Sequence, residues 1–494
     1  MTEPPFHEQI AQFRSDRPLR ALLDAPSHPT LRLMSLLYVI AGLSHLWLAD
    51  AWQWSWFPGN LLFLTGLLLL VWRPNALAWL LCAAGKALPL LFARDHLTQS
   101  LLLMLVACYG TLFIGVHAYL QTGAQKLRQF ATPLNSLSAP LSVFFDATRW
   151  LIIITYLGAA FHKLNRDFFD PHRSCALYGL EGLLDFFGLS LPPACAEWTL
   201  FLALAVIVTE ASISLLYLFG RHRPAILLAI LFHLPLTLTV APAFALVMLV
   251  GHAAFVTPTD ISAARSWLRS HPIAWICTTL GATSALILAG DLPFDDWTML
   301  PRIALLIGLA ILLIAIGLRA TSPLLVTPPK AAPRWPRRLA IALTVAFALH
   351  CLSPYTGLRY QHTAAMVSNL RIDDPCWNHL LMPQTLRLED PYIRIDRAYF
   401  VEPGHLERYE DMATSQLWNG PMLHQMRKNW CRDSLRPFYM EGTFKGRTFE
   451  VDDLCAEDLE WPFSDAGVLG IELFPDHLRF QRNLERSCDQ RCIH

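Results

Sequence analysis

About eleven apolar runs follow one another closely along this chain, and they constrain its fold more than any other feature. A helix needs about 20 apolar residues to cross a hydrocarbon core about 30 Å thick, and several runs are shorter, so the count holds to about two. Pairs of runs divided by Arg73-Pro74-Asn75 and by Ala241-Pro242 fit either tight helical hairpins or kinked and re-entrant segments. The runs cover 31–49, 57–71, 76–92, 100–120, 141–161, 198–219, 225–240, 243–256, 273–289, 303–318 and 339–352.

Composition agrees with a membrane protein. Hydrophobic residues make up 54% of the 494 residues and charged residues only 16%, whereas a soluble domain carries about 25% charged residues. The charges are sparse through 31–353 and dense from about 357 onward. We therefore predict a mainly α fold, a polytopic transmembrane helical bundle over 31–353, with a cytoplasmic N-terminal tail at 1–30 and a small extramembrane α+β domain at 357–494.

The distribution of Lys and Arg predicts the orientation, because these residues concentrate in cytoplasmic loops. The polar N-terminus does not resemble a cleavable signal peptide. If the N-terminus lies in the cytoplasm, 17 basic residues of the tail and loops lie on the cytoplasmic side and 5 lie on the other side. The five are Arg94, Lys163, Arg166, Arg173 and Arg302. We expect a multi-pass protein of the inner or plasma membrane with its C-terminal domain outside and membrane lipids as its surroundings. A net charge of +0 without a long basic run argues against a nucleic-acid partner.

The C-terminal region has the pattern of a small folded domain. Strand-like alternation covers 392–400 and 437–450, and 407–429 has the rhythm of one amphipathic helix interrupted at Asn419-Gly-Pro421. Its aromatic residues are expected to form a core rather than a binding surface. These are Tyr399, Phe400, Trp418, Trp430, Tyr439, Phe444 and Phe449.

Most cysteines lie on the side predicted to be oxidising, where disulfides can form. Cys175 and Cys195 share one loop, and we predict that they are linked; five more follow in the C-terminal domain, at 376, 431, 455, 488 and 492. Cys488 and Cys492 could also be half of a metal site, but no second pair with metal-ligand spacing accompanies them, so no metal is expected.

Lys163 is the candidate catalytic residue. It ends the apolar run 150–161, and apolar surroundings disfavour an ammonium ion, so an amine there can accept a proton. The competing interpretation is that the side chain extends to the headgroups or interacts with the helix C-terminus. Lys86 and Glu210 also lie inside apolar runs and could pair with each other, as a structural clamp in preference to a proton pathway.

The segment Phe161-His-Lys-Leu-Asn-Arg-Asp-Phe-Phe168 resembles the Lys-Leu-(Asn/Asp)-x-(Asp/Glu)-(Trp/Phe) signature of the horizontally transferred transmembrane (HTTM) domain family, to which vitamin K-dependent γ-carboxylase belongs. Glu210, the basic turn 221–223 and Phe232-His233 follow in that family's order. The segments 354–362 and 366–371 resemble the entry to the outer domain of bacterial members, so the resemblance covers most of 30–400.

The resemblance implies a carboxylase-like membrane enzyme that uses a reduced quinone, similar to vitamin K, and acts on a protein or peptide substrate at the outer face. By motif position Lys163 would be the base that deprotonates the quinol. His233 would belong to the catalytic pocket, although a bond between helices explains it equally well. His162, Asn165 and His96 would bind substrate. The family's Asn-His pair and Phe-Pro-Tyr element have no counterpart here, which leaves glutamate carboxylation without direct support.

Two functions from different classes therefore stand. The chain is either a membrane enzyme with Lys163 as base on a lipid-soluble quinol or related substrate, or a non-catalytic scaffold of the same architecture that binds a partner through its outer domain. A transporter is a third reading, but the sequence has no convincing internal repeat. A buried Lys163 in an enclosed apolar pocket would favour the enzyme.

Overall fold

A computed structural model describes most of the chain. The described residues are 28–48, 57–91, 98–127, 139–186, 188–192, 197–238, 242–270, 334–357, 363–388, 390, 392–400, 406–432, 437–456, 459 and 483–492. The predicted N-terminal tail, the runs 273–289 and 303–318, and residues His96 and Cys195 lie outside them.

Helices dominate the first part of the chain. They are α1 (Pro29–Leu48), α2 (Phe57–Trp72), α3 (Ala76–Leu91), α4 (Thr98–Leu127), α5 (Ala139–His162), α6 (Cys175–Phe186), α7 (Thr199–Leu218), α8 (His222–Leu238), α9 (Pro242–Ala253), α10 (Pro258–Ser270) and α11 (Arg334–Cys351). The predicted apolar runs that fall on described residues all coincide with helices. The short α6 begins at Cys175, within the predicted loop.

Four of these helices are long and apolar enough to cross a membrane, within the described residues. The segments that meet this criterion are Pro29–Leu46, Gln99–Val116, Pro140–His162 and Thr199–Leu218. A fifth candidate is the pair α9 and α10, whose axes differ by 110° across the break. This supports a membrane protein.

One continuous apolar core contains residues from α1, α2, α3, α4, α5, α7, α8, α9 and α11. Trp79 lies at its centre, with its ring 4.8 Å from that of Tyr38 in an edge contact. Gly251 lets α9 approach α5, because a Cβ at that position would lie 2.0 Å from Cγ1 of Ile152. This contact places the next residue, His252, against α5.

The C-terminal domain is an antiparallel sheet with helices packed on it. The strands β1 (Ile393–Phe400), β2 (Gln416–Trp418), β3 (Pro437–Phe444), β4 (Arg447–Val451) and β5 (Leu484–Glu485) lie in the order β4-β3-β1-β2-β5. The single helix predicted for 407–429 is instead two, α12 (Leu406–Ser415) and α13 (Gly420–Arg432), because β2 lies between them and pairs with β1.

The aromatic core of this domain is smaller than the sequence suggested. Phe400, Trp418 and Trp430 are buried, and the first two each make an edge contact with the Trp430 ring. Tyr399 is 45% exposed because alternate residues of β1 face outward. Its expected place in the core is therefore wrong.

Three disulfides tie the C-terminal region together and to the helices. They link Cys175 to Cys492, Cys376 to Cys488 and Cys431 to Cys455. The predicted link between Cys175 and Cys195 is thus wrong: the segment ending at Cys492 reaches the start of α6, where its backbone N–H also donates to the Arg173 carbonyl, 2.9 Å away.

A buried polar network joins the segment 363–379 to the turn after α5. Arg371 and Asp373 form an ion pair at 2.7 Å with side chains at most 1% exposed. The Asn378 amide donates to the Asp167 carboxylate at 2.8 Å and to the Asn369 carbonyl at 2.7 Å. These bonds hold the segment over the end of α5, where Lys163 lies.

Candidate functional site

Lys163 is buried immediately after the end of α5. Its side chain is 6% exposed, and its Nζ donates to Glu210 Oε1 at 3.0 Å. Longer contacts of 3.4 and 3.5 Å join Nζ to the carbonyls of Ala159 and Met366. The contact with the Ala159 carbonyl fits the predicted interaction with the helix C-terminus, while the burial and the Glu210 partner fit the predicted buried amine.

Glu210, on α7, is the partner of Lys163. The predicted pairing of Glu210 with Lys86 is wrong: the Lys86 ammonium lies 4.6 Å from the centre of the Phe63 ring, in a different part of the bundle. Oε1 of Glu210 accepts from Lys163, while Oε2 is buried without a hydrogen-bond partner among the described residues. A buried carboxylate oxygen in this state is a strong acceptor for a donor on a bound molecule.

Lys163 and Glu210 lie on the wall of a cavity of about 410 Å³. The wall is mainly aliphatic and aromatic, with contributions from α5, α6, α7, α8 and α9. Met366 and Val367 belong to the segment 363–379, named the outer segment after its predicted side of the membrane, and together with Cys175 they close part of the cavity. The polar residues on the wall are Thr155, Tyr156, Lys163, Thr209, Glu210 and His233. Such a volume, with few polar groups in an apolar wall, is typical of small-molecule sites.

His233, on α8, both lines the cavity and bonds to another helix. Its Nε2 lies 2.7 Å from Tyr156 Oη on α5. The two interpretations of this histidine, a pocket residue and a bond between helices, are therefore compatible. The sequence resemblance indicated His233, but it did not indicate its bonding partner.

Three further polar residues were missed by the sequence analysis. They are Tyr156, Tyr217 and His252, all buried and joined by hydrogen bonds through His252. The signal for the tyrosines was spacing: Tyr156 precedes Lys163, and Tyr217 follows Glu210, by seven residues. Seven residues make about two helical turns, so each tyrosine shares a helix face with a charged residue.

His162 and Asn165 were expected to bind substrate, and the structure places them elsewhere. Neither is among the residues that line the cavity. His162 bonds to Tyr355 Oη at 2.8 Å and the Thr363 carbonyl at 3.1 Å. The Asn165 amide donates to the His162 and Ser368 carbonyls, at 2.8 and 2.6 Å. Both side chains hold the outer segment in place. His96 lies outside the described residues.

His379 is the outer segment's contact with the end of α5. Its Nδ1 accepts from the backbone N–H groups of Leu381 and Met382, at 3.2 and 2.9 Å. The other ring nitrogen lies 3.0 Å from the Phe161 carbonyl and donates to it. Burial lowers the pKa of His379 below its usual value. The neutral ring thus joins α5 to the segment that covers Lys163.

Metal chemistry has no obvious ligand set in the described parts of the chain, where no three His, Cys, Asp or Glu side chains are arranged to hold an ion. The chain matches no known family model, no curated protein and no solved structure.

Proposed function

We propose that this protein is an integral membrane enzyme in which Lys163 and Glu210 together remove a proton from the hydroxyl group of a lipid-soluble substrate. The substrate class implied by the sequence resemblance is a reduced quinone. One observation carries the proposal: a buried Lys–Glu pair lies on the wall of an apolar cavity of about 410 Å³, and one of its carboxylate oxygens has no hydrogen-bond partner among the described residues.

The cavity suits a molecule with an apolar ring and one or two hydroxyl groups. Leu231 lines it and is also 59% exposed on the face of α8. In a bilayer, that face would contact lipid, so an apolar substrate could enter sideways from the membrane. The polar residues are few in an otherwise apolar wall, which would fix the orientation of the hydroxyl.

The paired geometry changes the base from a lone amine to a two-residue unit. Lys163 Nζ and Glu210 Oε1 hold one proton between them at 3.0 Å. A hydroxyl on the substrate would donate to Glu210 Oε2, and the proton taken up would be shared by the pair. His233 and Tyr156 lie on the same wall and would hydrogen-bond the substrate oxygen. A positioned base of this kind accelerates proton transfer by about 10² to 10⁴.

A non-catalytic scaffold is the second candidate, and one observation favours it. The Lys163 amine contacts Glu210 on α7 and the Met366 carbonyl of the outer segment, besides a carbonyl of its own helix. In that case the pair would only fasten the outer domain to the helices, and the cavity would be lipid-filled or structural.

A chromogenic phenol separates the two candidates. We would add a 4-nitrophenol with a short alkyl chain to the purified protein in lipid nanodiscs and record its absorbance, because the phenolate is coloured. The wild type should convert bound phenol to phenolate. Lys163→Met should lower the yield by about tenfold or more, because it removes the amine that shares the proton with Glu210.

Lys86→Met is the matched control, since it removes another buried lysine of the bundle that lies outside the cavity lining. It should give the wild-type spectrum. Equal phenolate yields for the wild type and Lys163→Met would rule out Lys163 as the base and would favour the non-catalytic scaffold.

A further inference from the structure

Four buried side chains form a continuous chain of hydrogen bonds that begins at the cavity and leads away from it. His233 Nε2 lies 2.7 Å from Tyr156 Oη. Tyr156 Oη lies 3.0 Å from His252 Nε2. His252 Nδ1 lies 2.5 Å from Tyr217 Oη. All four side chains are at most 5% exposed. The first two line the cavity and the last two do not.

This chain of hydrogen bonds follows two antiparallel helices, α5 and α7. Lys163 of α5 pairs with Glu210 of α7, and nearer the other end Ser214 Oγ donates to the Ile153 carbonyl at 3.1 Å. Tyr156 lies three residues before Ala159, whose carbonyl the Lys163 amine contacts, whereas Tyr217 lies two turns, or about 10 Å, beyond Glu210 along α7. The ring of His252 stacks against both tyrosines, with centroid distances of 5.8 and 5.7 Å. The hydrogen-bond chain therefore leads from the Lys163 end of these helices toward their opposite end.

The far end of the chain lies one ring away from a charged edge. Tyr217 stacks on Phe255 at 3.8 Å, and the Arg149 guanidinium lies 5.5 Å above the same Phe255 ring. Arg149 pairs with Asp146, whose side chain is 61% exposed. His222, which is half-buried, has its ring 6.1 Å from that of Tyr217. Arg149 precedes Lys163 by 14 residues, or about 20 Å along the helix.

Each group in the chain can pass on one hydrogen while it receives another. A proton that reaches His233 Nδ1 lets Nε2–H move to Tyr156 Oη, whose own hydrogen moves to His252 Nε2. The Nδ1–H of His252 then moves to Tyr217 Oη, and the Tyr217 hydrogen passes to a water molecule at the charged edge. One proton enters and one leaves, so no group keeps a net charge. Rotation of the hydroxyls and a change of imidazole tautomer restore the starting arrangement.

We propose that His233, Tyr156, His252 and Tyr217 form a proton relay that carries the proton taken from the substrate to the opposite end of the helix bundle. The inference rests on the proposed function for the source of that proton. Chains of ionisable side chains inside membranes serve such proton transfer in pumps and transporters. Without a route, the Lys163–Glu210 pair would stay protonated after one reaction in apolar surroundings.

The nitrophenol experiment tests the relay when a second dye is added. A pH indicator in weakly buffered solution outside the nanodisc reports proton release, while the phenolate absorbance reports proton removal in the cavity. In the wild type the two signals should rise together. Tyr217→Phe keeps the ring that stacks on Phe255 but breaks the chain, so proton release should lag behind phenolate formation by about tenfold or more. His252→Gln should show the same lag.

Tyr38→Phe is the matched control, because Tyr38 is another buried tyrosine, donates to the Leu103 carbonyl at 2.9 Å and lies off the cavity and the chain. Its two signals should rise together as in the wild type. In D₂O the wild type should show a larger slowing of proton release than of phenolate formation, a measurement that needs no variant.

Each failure has its own signature. Absence of phenolate in the wild type would overturn the proposed function and, with it, the relay. Phenolate formation with prompt proton release in both Tyr217→Phe and His252→Gln, or equal slowing of both signals in D₂O, would overturn the relay and leave the base intact.

Discussion

The Lys163–Glu210 pair has both a structural and a chemical consequence at the level of single residues. Two charges with side chains only 6 and 7% exposed lose most of their hydration, and each compensates the other. Removal of one partner leaves a buried, uncompensated charge, which costs about 3–5 kcal/mol. Loss of activity in a single variant could therefore reflect lost stability alone, and the two effects need separate measurement.

A double-mutant cycle makes that separation. We expect Lys163→Met and Glu210→Leu each to lower the free energy of unfolding by about 3–5 kcal/mol, and the double variant to recover most of the loss because no lone charge remains. Thermal unfolding of the wild type and the three variants in the same detergent would give the three differences in the free energy of unfolding. All three variants should lack phenolate formation. Additive destabilisation in the double variant would mean that the two side chains do not interact.

At the level of elements, the position of the candidate relay depends on how closely α9 approaches α5. Gly251 makes this approach possible, since any side chain there would collide with Ile152. The neighbouring His252 then reaches both Tyr156 and Tyr217. A small residue next to a polar residue in a membrane helix is a known means of bringing backbones together for hydrogen bonding.

Gly251→Val should therefore push α9 away from α5. We expect a loss of about 1–3 kcal/mol from overpacking, together with weakened phenolate formation, since α9 also lines the cavity. Gly115→Ala is the control: its nearest neighbour would be Ala76 Cβ at 3.5 Å, an ordinary contact. Thermal unfolding of both variants tests this loss of stability. Equal unfolding midpoints for Gly251→Val and Gly115→Ala would show that α9 tolerates the displacement.

How much the sequence predicted differs between local and distant features. The apolar runs, the strands near 393 and 437 and the importance of Lys163, Glu210 and His233 depend on local pattern or motif, and each is readable along the chain. The partner of Glu210 could not be predicted from the sequence, because it depends on how two helices rotate and shift against each other when they pack. His252 was missed for the same reason: it reaches the tyrosines from a third helix.

At the level of the whole molecule, the helices and the C-terminal domain are joined by covalent and polar contacts at the Lys163 end of α5. The segment 363–379 covers that end, and the Cys175–Cys492 disulfide secures it. If the basic residues set the orientation as proposed, this end and the sheet lie on the outer side, where disulfides form.

Reporter fusions test that orientation. Alkaline phosphatase needs its own disulfides and is active only outside the cytoplasm. We expect activity when it is fused after His494 and none when it is fused after Ser270, whose neighbours Arg265 and Arg269 are assigned to the cytoplasmic side. A fluorescent protein should give the reverse pattern. Phosphatase activity in the Ser270 fusion but not in the His494 fusion would mean that the topology is the reverse of the one proposed.

The Cys175–Cys492 bond joins residues 317 positions apart, and this separation sets an order of events during biosynthesis. At about 5–20 residues per second, the ribosome makes Cys492 roughly 15–60 s after Cys175. Cys195 follows Cys175 by only 20 residues, roughly 1–4 s later at the same speed. The nearer thiol can react first, so maturation would depend on an isomerase that exchanges this early partner for the late one.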